Sequence, residues 1–172
     1  GTSGPIVVDV QNLSLSEGSQ LLSSSESGDG HGGEITINAT GSVVLTGQGT
    51  DQGGITISSG VFSKTVAGFE DPSFTGNAGN ISITGQSIEV SNGARVDSSS
   101  QLFALGNAGN IILTAPTVTV NGGTISTSTE FAGQAGTITV DATNAVTMNH
   151  ASITTSSTGL GNAGDIHITA GQ

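Results

Sequence analysis

The stretch Gly79-Asn-Ile-Ser-Ile-Thr-Gly85 decides how the chain folds, because it returns in the same hydrophobic phase along the whole sequence. It recurs as Gly33-Glu-Ile-Thr-Ile-Asn-Ala39, Gly109-Asn-Ile-Ile-Leu-Thr-Ala115, Gly136-Thr-Ile-Thr-Val-Asp-Ala142 and Gly164-Asp-Ile-His-Ile-Thr-Ala170, with a looser sixth copy at Gly4-Pro-Ile-Val-Val-Asp-Val10. In each copy the third and fifth residues are aliphatic and their neighbours mostly polar, the period of two that a half-buried strand requires. The leading glycines at 4, 33, 79, 109, 136 and 164 lie 29, 46, 30, 27 and 28 residues apart. One unit is therefore close to 28 residues, and the second carries an insertion.

Reading outward from that strand, each unit holds two more. A second strand alternates in the same way through Leu13 and Leu15, Val43 and Leu45, Ile88 and Val90, Val118 and Val120, and Val146 and Met148. A third is weaker: Leu22, Val96, Ile125 and Ile153 each lead a Ser/Thr tract. Between the second and third strands stand Asn92-Gly93, Gly122-Gly123 and Asn149-His150, pairs suited to turns because Gly and Asn tolerate positive φ. The Asn-Ala that precedes the opening glycine at residues 77, 107 and 162 reads as a tight corner in which the Asn side chain satisfies turn backbone groups.

Strands that recur once per unit in the same direction pair with their copies above and below, and inward aliphatics then stack into ladders; no single unit buries itself. The sequence predicts an all-β chain, a parallel β-helix (solenoid) of five to six coils with three short strands each. At about 4.8 Å between paired strands, such a stack is roughly 25 Å long. Residues 1–172 read as a single β-helix segment, an internal fragment of a larger protein, with residues 46–76 forming the loop-bearing coil.

Composition agrees. The chain of 172 residues has 28 Gly, 5 Phe, no Trp, no Tyr and only 9% charged residues, so no large aromatic core holds it together. Hydrophobic residues reach only 33%, but their strict alternation and β-branching argue against a disordered linker. Thirteen acidic residues face two basic ones, Lys64 and Arg95, for a net charge of −11. Such a surface repels phosphate backbones and anionic membranes, which speaks against nucleic-acid binding. The absence of cysteine suits an exported chain and equally a cytosolic one. No apolar run is long enough to cross a bilayer as a helix.

The corners Gly76-Asn-Ala-Gly-Asn-Ile81, Gly106-Asn-Ala-Gly-Asn-Ile111 and Gly161-Asn-Ala-Gly-Asp-Ile166, together with Val118-Thr-Val-Asn-Gly-Gly-Thr-Ile-Ser126, resemble the repeats of filamentous-haemagglutinin-like large exoproteins of bacteria. The likeness covers nearly the whole chain. It implies a right-handed parallel β-helix and a passenger of two-partner secretion, exported through an outer-membrane partner, secreted to the bacterial cell surface and used as an adhesin or stalk. The family's secretion domain carries Asn-Pro motifs, and no Asn-Pro pair occurs here; the resemblance is to the repeat shaft.

The insertion is the most irregular feature. It runs through Gln48–Gln52 and then Val61–Thr75, and it concentrates three of the five Phe with Lys64 and the acidic pair Glu70-Asp71. Loops projecting from rigid scaffolds commonly carry binding residues, so Phe62, Lys64, Phe69, Glu70, Asp71 and Phe74 are the candidate recognition residues for a glycan or cell-surface receptor. The competing reading is a lid whose phenylalanines cover a ladder edge, a reading that Phe103 and Phe131 at the corresponding corners of later coils favour.

Catalysis on polysaccharides needs paired carboxylates, or acidic metal ligands beside a base. The outward candidates Glu89, Arg95 and Asp97 build no such cluster, because neighbouring coils place Thr119 and Ser126 at the equivalent positions; no enzyme, cofactor or metal is expected. Gly28-Asp-Gly-His-Gly-Gly-Glu34 follows neither calcium-repeat nor EF-hand spacing, and His31, His150 and His167 read as surface residues. The tracts Ser23–Ser25, Ser98–Ser100, Thr124–Thr129 and Thr154–Thr158 stack on one face, which leaves a hydroxyl ladder for ice or glycans as a further alternative. Exposed strands at the ends of the isolated segment invite end-to-end stacking.

Overall fold

The computed structural model describes residues 1–26, 30–67 and 75–171. Among them there is no helix. The strands are β1 (Ile6–Val10), β2 (Leu13–Leu15), β3 (Gln20–Ser25), β4 (Ile35–Ala39), β5 (Ser42–Thr46), β6 (Gln48–Thr50), β7 (Thr56–Ser58), β8 (Gly60–Val66), β9 (Ile81–Thr84), β10 (Ser87–Ser91), β11 (Arg95–Gln101), β12 (Ile111–Asn121), β13 (Thr124–Thr129), β14 (Ile138–Asn149), β15 (Ser152–Ser157) and β16 (Ile166–Ala170).

Apart from the antiparallel pair β6–β7, these strands pair in parallel, each with its copy one repeat away. The order β1–β4–β9–β12–β14–β16 lines Ile6, Ile35, Ile81, Ile111, Ile138 and Ile166 in one row. The order β2–β5–β10–β12–β14 does the same for Leu13, Val43, Ile88, Val118 and Val146. The third strands form a separate five-stranded sheet, β3–β8–β11–β13–β15. Both aliphatic registers predicted from the alternation are those observed, since a one-residue slip would turn every Ile to solvent. In the middle repeats the inward residues, among them Ile81, Ile83, Ile111, Leu113, Val118 and Val120, are completely buried.

Three features depart from the prediction. First, β12 and β14 each run through the first- and second-strand positions without a break, which merges two expected sheets into one of nine strands. The merged pair carries a bulge, Ala115 facing Ala142 but Thr117 facing Ala145; one extra residue on one strand lets it bend without ending. Second, the third strand of the first repeat is led by Leu21, not Leu22: Leu21 aligns with Val61, and Leu22, 46% exposed, aligns with Phe62. Two adjacent leucines give no period, and only the pairing resolves which faces in. Third, Val61–Val66 is not loop. It belongs to β8, paired in register with β3 on one side and β11 on the other.

The turns between second and third strands behave as their residues require. Left-handed residues occur in each: Glu17 (φ 55°) with Gly18 (83°), Gly47 (79°), Asn92 (55°) with Gly93 (85°), Gly122 (67°) and His150 (48°). Where the side chain is not Gly or Asn, the position is occupied against local preference.

Candidate functional site

The Ser/Thr tracts supply the wall that the aliphatic ladders leave open. Alternation along the third strand turns Ser23, Ser63, Ser98, Thr127 and Thr155 into one column. Ser98 Oγ donates to Gly79 O at 2.9 Å and accepts from Gly109 N at 2.8 Å, and Ser63 joins Gly33 O and Gly79 N in the same way. In the later repeats Thr127 and Thr155 bond Gly136 O and Gly164 O, each at 2.7 Å. The third strand is thus tied from inside to the opening glycines of successive repeats. These hydroxyls face the interior, so the tracts do not offer an unbroken hydroxyl face to solvent.

The corner motif follows from stacking more than from turn geometry. None of Gly33, Gly79, Gly109, Gly136 or Gly164 is left-handed; instead, a Cβ on Gly109 would be driven into the carbonyl oxygen of Gly79 below it. The asparagines satisfy backbone donors of the next repeat and not of their own turn. Asn77 Oδ1 accepts from Asn107 N at 2.7 Å, Asn107 Oδ1 from Gln134 N at 2.8 Å, and Asn80 and Asn110 do likewise for Asn110 N and Thr137 N. His31 takes the equivalent place one repeat earlier, its Nδ1 accepting from Asn77 N at 2.9 Å. His31 is therefore a member of the corner ladder, not merely a surface residue.

The insertion begins with a hairpin. At its tip, Asp51 Oδ1 accepts from Gly53 N and Ile55 N, both at 2.8 Å. At its base, Gln20 Nε2 donates to Ser58 O at 3.0 Å, and Ser59 Oγ accepts from Gly18 N at 2.9 Å. These bonds lean β7 toward β3 and β8 and leave a groove of about 320 Å³ lined by Gln20, Thr56, Ile57, Ser58, Phe62, Lys64 and Arg95. Volumes of this order are those of small-ligand sites.

Phe62 and Lys64, two of the candidate recognition residues, sit here, on strand β8 and not on a projecting loop. Phe62 is only 4% exposed, and Lys64 Nζ lies 4.8 Å from its ring centroid, a cation–π distance. Phe69, Glu70, Asp71 and Phe74 lie outside the described residues, as do Gly28 and Asp29. Arg95 was legible in sequence as an outward residue, but its place in the groove comes from β8 pairing with β11, which sets Arg95 beside Gly60. Gln20 and the hairpin residues Thr56 to Ser58 carry no local signal that would have marked them.

Of the carboxylates weighed for catalysis, Glu89 is exposed on β10 in the nine-stranded sheet, beside Thr119. Asp97 lies in the other sheet, in register with Phe62 and Ser126. Contrary to the expectation that it faces solvent, Asp97 is 3% exposed, with Oδ1 accepting from Ser126 Oγ at 2.6 Å and Oδ2 from Ser99 Oγ at 3.0 Å. No group of three or more metal-ligating side chains comes together among the described residues. Phe103 and Phe131, 38% and 41% exposed, meet edge to face, ring centroids 6.2 Å apart. Compared with known proteins, the chain matches no family model, no curated sequence and no solved structure.

Proposed function

We propose that the chain is a segment of right-handed parallel β-helix serving as the rigid shaft of a secreted, adhesin-like bacterial surface protein, with the hairpin groove displayed on its side for saccharide or surface recognition. The observation that carries the reading is the pairing of each third strand with its copy one repeat on, in step with the first and second strands. Three parallel series advancing together support a chain winding about one axis, and the strong preference of parallel crossovers for the right hand supports right-handed winding. Such a rod is stiff, and its buried backbone resists proteolysis. The repeat resemblance supports export through an outer-membrane secretion partner and placement at the cell surface.

A display role is favoured over catalysis by the state of the carboxylates: Asp97 is engaged by two hydroxyls and Glu89 stands in the other sheet. The test is to replace residues 48–58 with a short Gly-Ser turn and compare both forms on glycan arrays and on cell surfaces. The expected result is unchanged cooperative unfolding with lost binding. Equal binding by both forms overturns recognition at the groove, and separate melting of the two sheets overturns the single winding rod.

A further inference from the structure

Resting on that reading of the groove, we infer that its ligand is a short saccharide bearing a carboxylate, of the uronic acid type. The chain has two cationic side chains in all, Lys64 and Arg95, and both line this one groove. Neither has an ion-pair partner among the described residues. With the remainder of the chain strongly acidic, two cations in one groove with no acidic partner among the described residues are what an anionic ligand would use.

The two cations differ in what they offer. A guanidinium presents a planar fork that matches a carboxylate with two parallel hydrogen bonds, while an ammonium acts as a point charge. Lys64 is steadied over the Phe62 ring, which reduces the freedom it would lose on binding. Asp97, in register with Phe62, is only 3% exposed and is hydrogen-bonded to Ser99 and Ser126 and not to either cation. The rest of the lining is chemically a sugar's counterpart: the amide of Gln20 and the hydroxyls of Thr56 and Ser58 for ring hydroxyls, and Ile57 for an apolar ring face. Net charge then limits ligand size. A long polyanion lying along the shaft meets the field of a chain whose net charge is −11 and is repelled, whereas a short oligomer places its charge only where the two cations are.

The experiment titrates the intact chain by calorimetry with short oligomers of galacturonate and of glucuronate, each beside its methyl ester, and with dextran sulfate as a long polyanion. Arg95→Gln and Lys64→Gln are carried through the same titrations, with thermal melting as the check that each stays folded. A free acid is expected to bind about tenfold or more tightly than its ester, and Arg95→Gln to remove about tenfold of that affinity while melting stays unchanged. Lys64→Gln should remove a smaller part. Equal binding of acid and ester overturns the acidic-ligand inference and leaves saccharide recognition standing. Failure of every saccharide to bind the unaltered chain overturns both. Tighter binding of dextran sulfate than of any short oligomer, insensitive to the two substitutions, overturns the assignment to this groove.

Discussion

The nine-stranded and five-stranded sheets close the same interior with opposite chemistry. In the first, inward positions are mostly Ile, Leu and Val stacked on one another, with Ala39, Ala115 and Ala142 also among them, and the row from Ile6 to Ile166 never admits a polar residue. In the second, one aliphatic row, Leu21, Val61, Val96, Ile125 and Ile153, is followed two residues on by hydroxyls. The first wall is stabilised by apolar burial, which is non-directional. The second is stabilised by hydrogen bonds between Ser or Thr and corner glycines, which fix position. A narrow interior gains from having both: aliphatics supply the driving force, and the hydroxyls satisfy buried backbone groups at corners where no sheet partner reaches them.

The sharpest way to break the comparison is at adjacent isoleucines on β12. Ile111 is fully buried in the first wall and Ile112 is 42% exposed on its outside. Ile111→Asp leaves an unpaired buried charge and should cost more than about 4 kcal/mol, enough to abolish cooperative folding. Ile112→Asp should cost about 1 kcal/mol or less. Circular dichroism with denaturant titration distinguishes them, and equal tolerance would mean that the register of this sheet is wrong.

At the seam between the walls, Gly109→Ala drives a Cβ into the Gly79 carbonyl and should lower stability by about 1–3 kcal/mol, as overpacking does. The denaturant midpoint reads this, and an unchanged midpoint would mean that the repeats do not approach as closely as described.

Within the hydroxyl wall itself, Ser98 and Ser100 are both fully buried, yet Ser98 bridges two corner glycines while Ser100 Oγ has no partner among the described residues. Ser98→Ala should cost about 2 kcal/mol because it strands a buried N–H and a carbonyl, and Ser100→Ala should stay within about 0.5 kcal/mol of the unaltered chain. If the two cost the same, the hydroxyl wall is held by packing and not by hydrogen bonds.

The smallest effect is at the corner ladder. His31→Ala removes the acceptor for Asn77 N and should cost about 1 kcal/mol, while His31→Asn, which supplies the oxygen used at the other corners, should change stability by less than about 0.5 kcal/mol. Faster hydrogen exchange of the Asn77 amide in the alanine variant alone is the accompanying observation.

Much of this architecture was legible in residues. The alternation at Ile81 and Ile83 or Val118 and Val120 states which side is buried, and its return at a fixed interval states what pairs with what, because a parallel strand with no neighbour in its own repeat must use the next one. The third strand was harder to read. Leu21-Leu22 has no period, and a run such as Ser98-Ser-Ser100 has no contrast between faces, so the direction of each hydroxyl emerged only from its partners. The run from Val61 to Val66 was misassigned to a loop because Phe and Lys are foreign to the other third strands, although its length and β-branched ends suit one.

The sequence alone determined the repeat, the all-β parallel pairing and the identity of the aliphatic ladders, since each depends on periodicity and on the need to bury apolar faces. Tertiary structure alone decided that Asp97 is buried, that β12 and β14 each run on through two strand positions, and that Lys64 and Arg95 share a groove with Gln20 and Ser58. Those outcomes depend on which side chains meet across strands a repeat apart and on where the hairpin leans. Such meetings are set by packing and hydrogen bonding in three dimensions and leave no local signature in the chain.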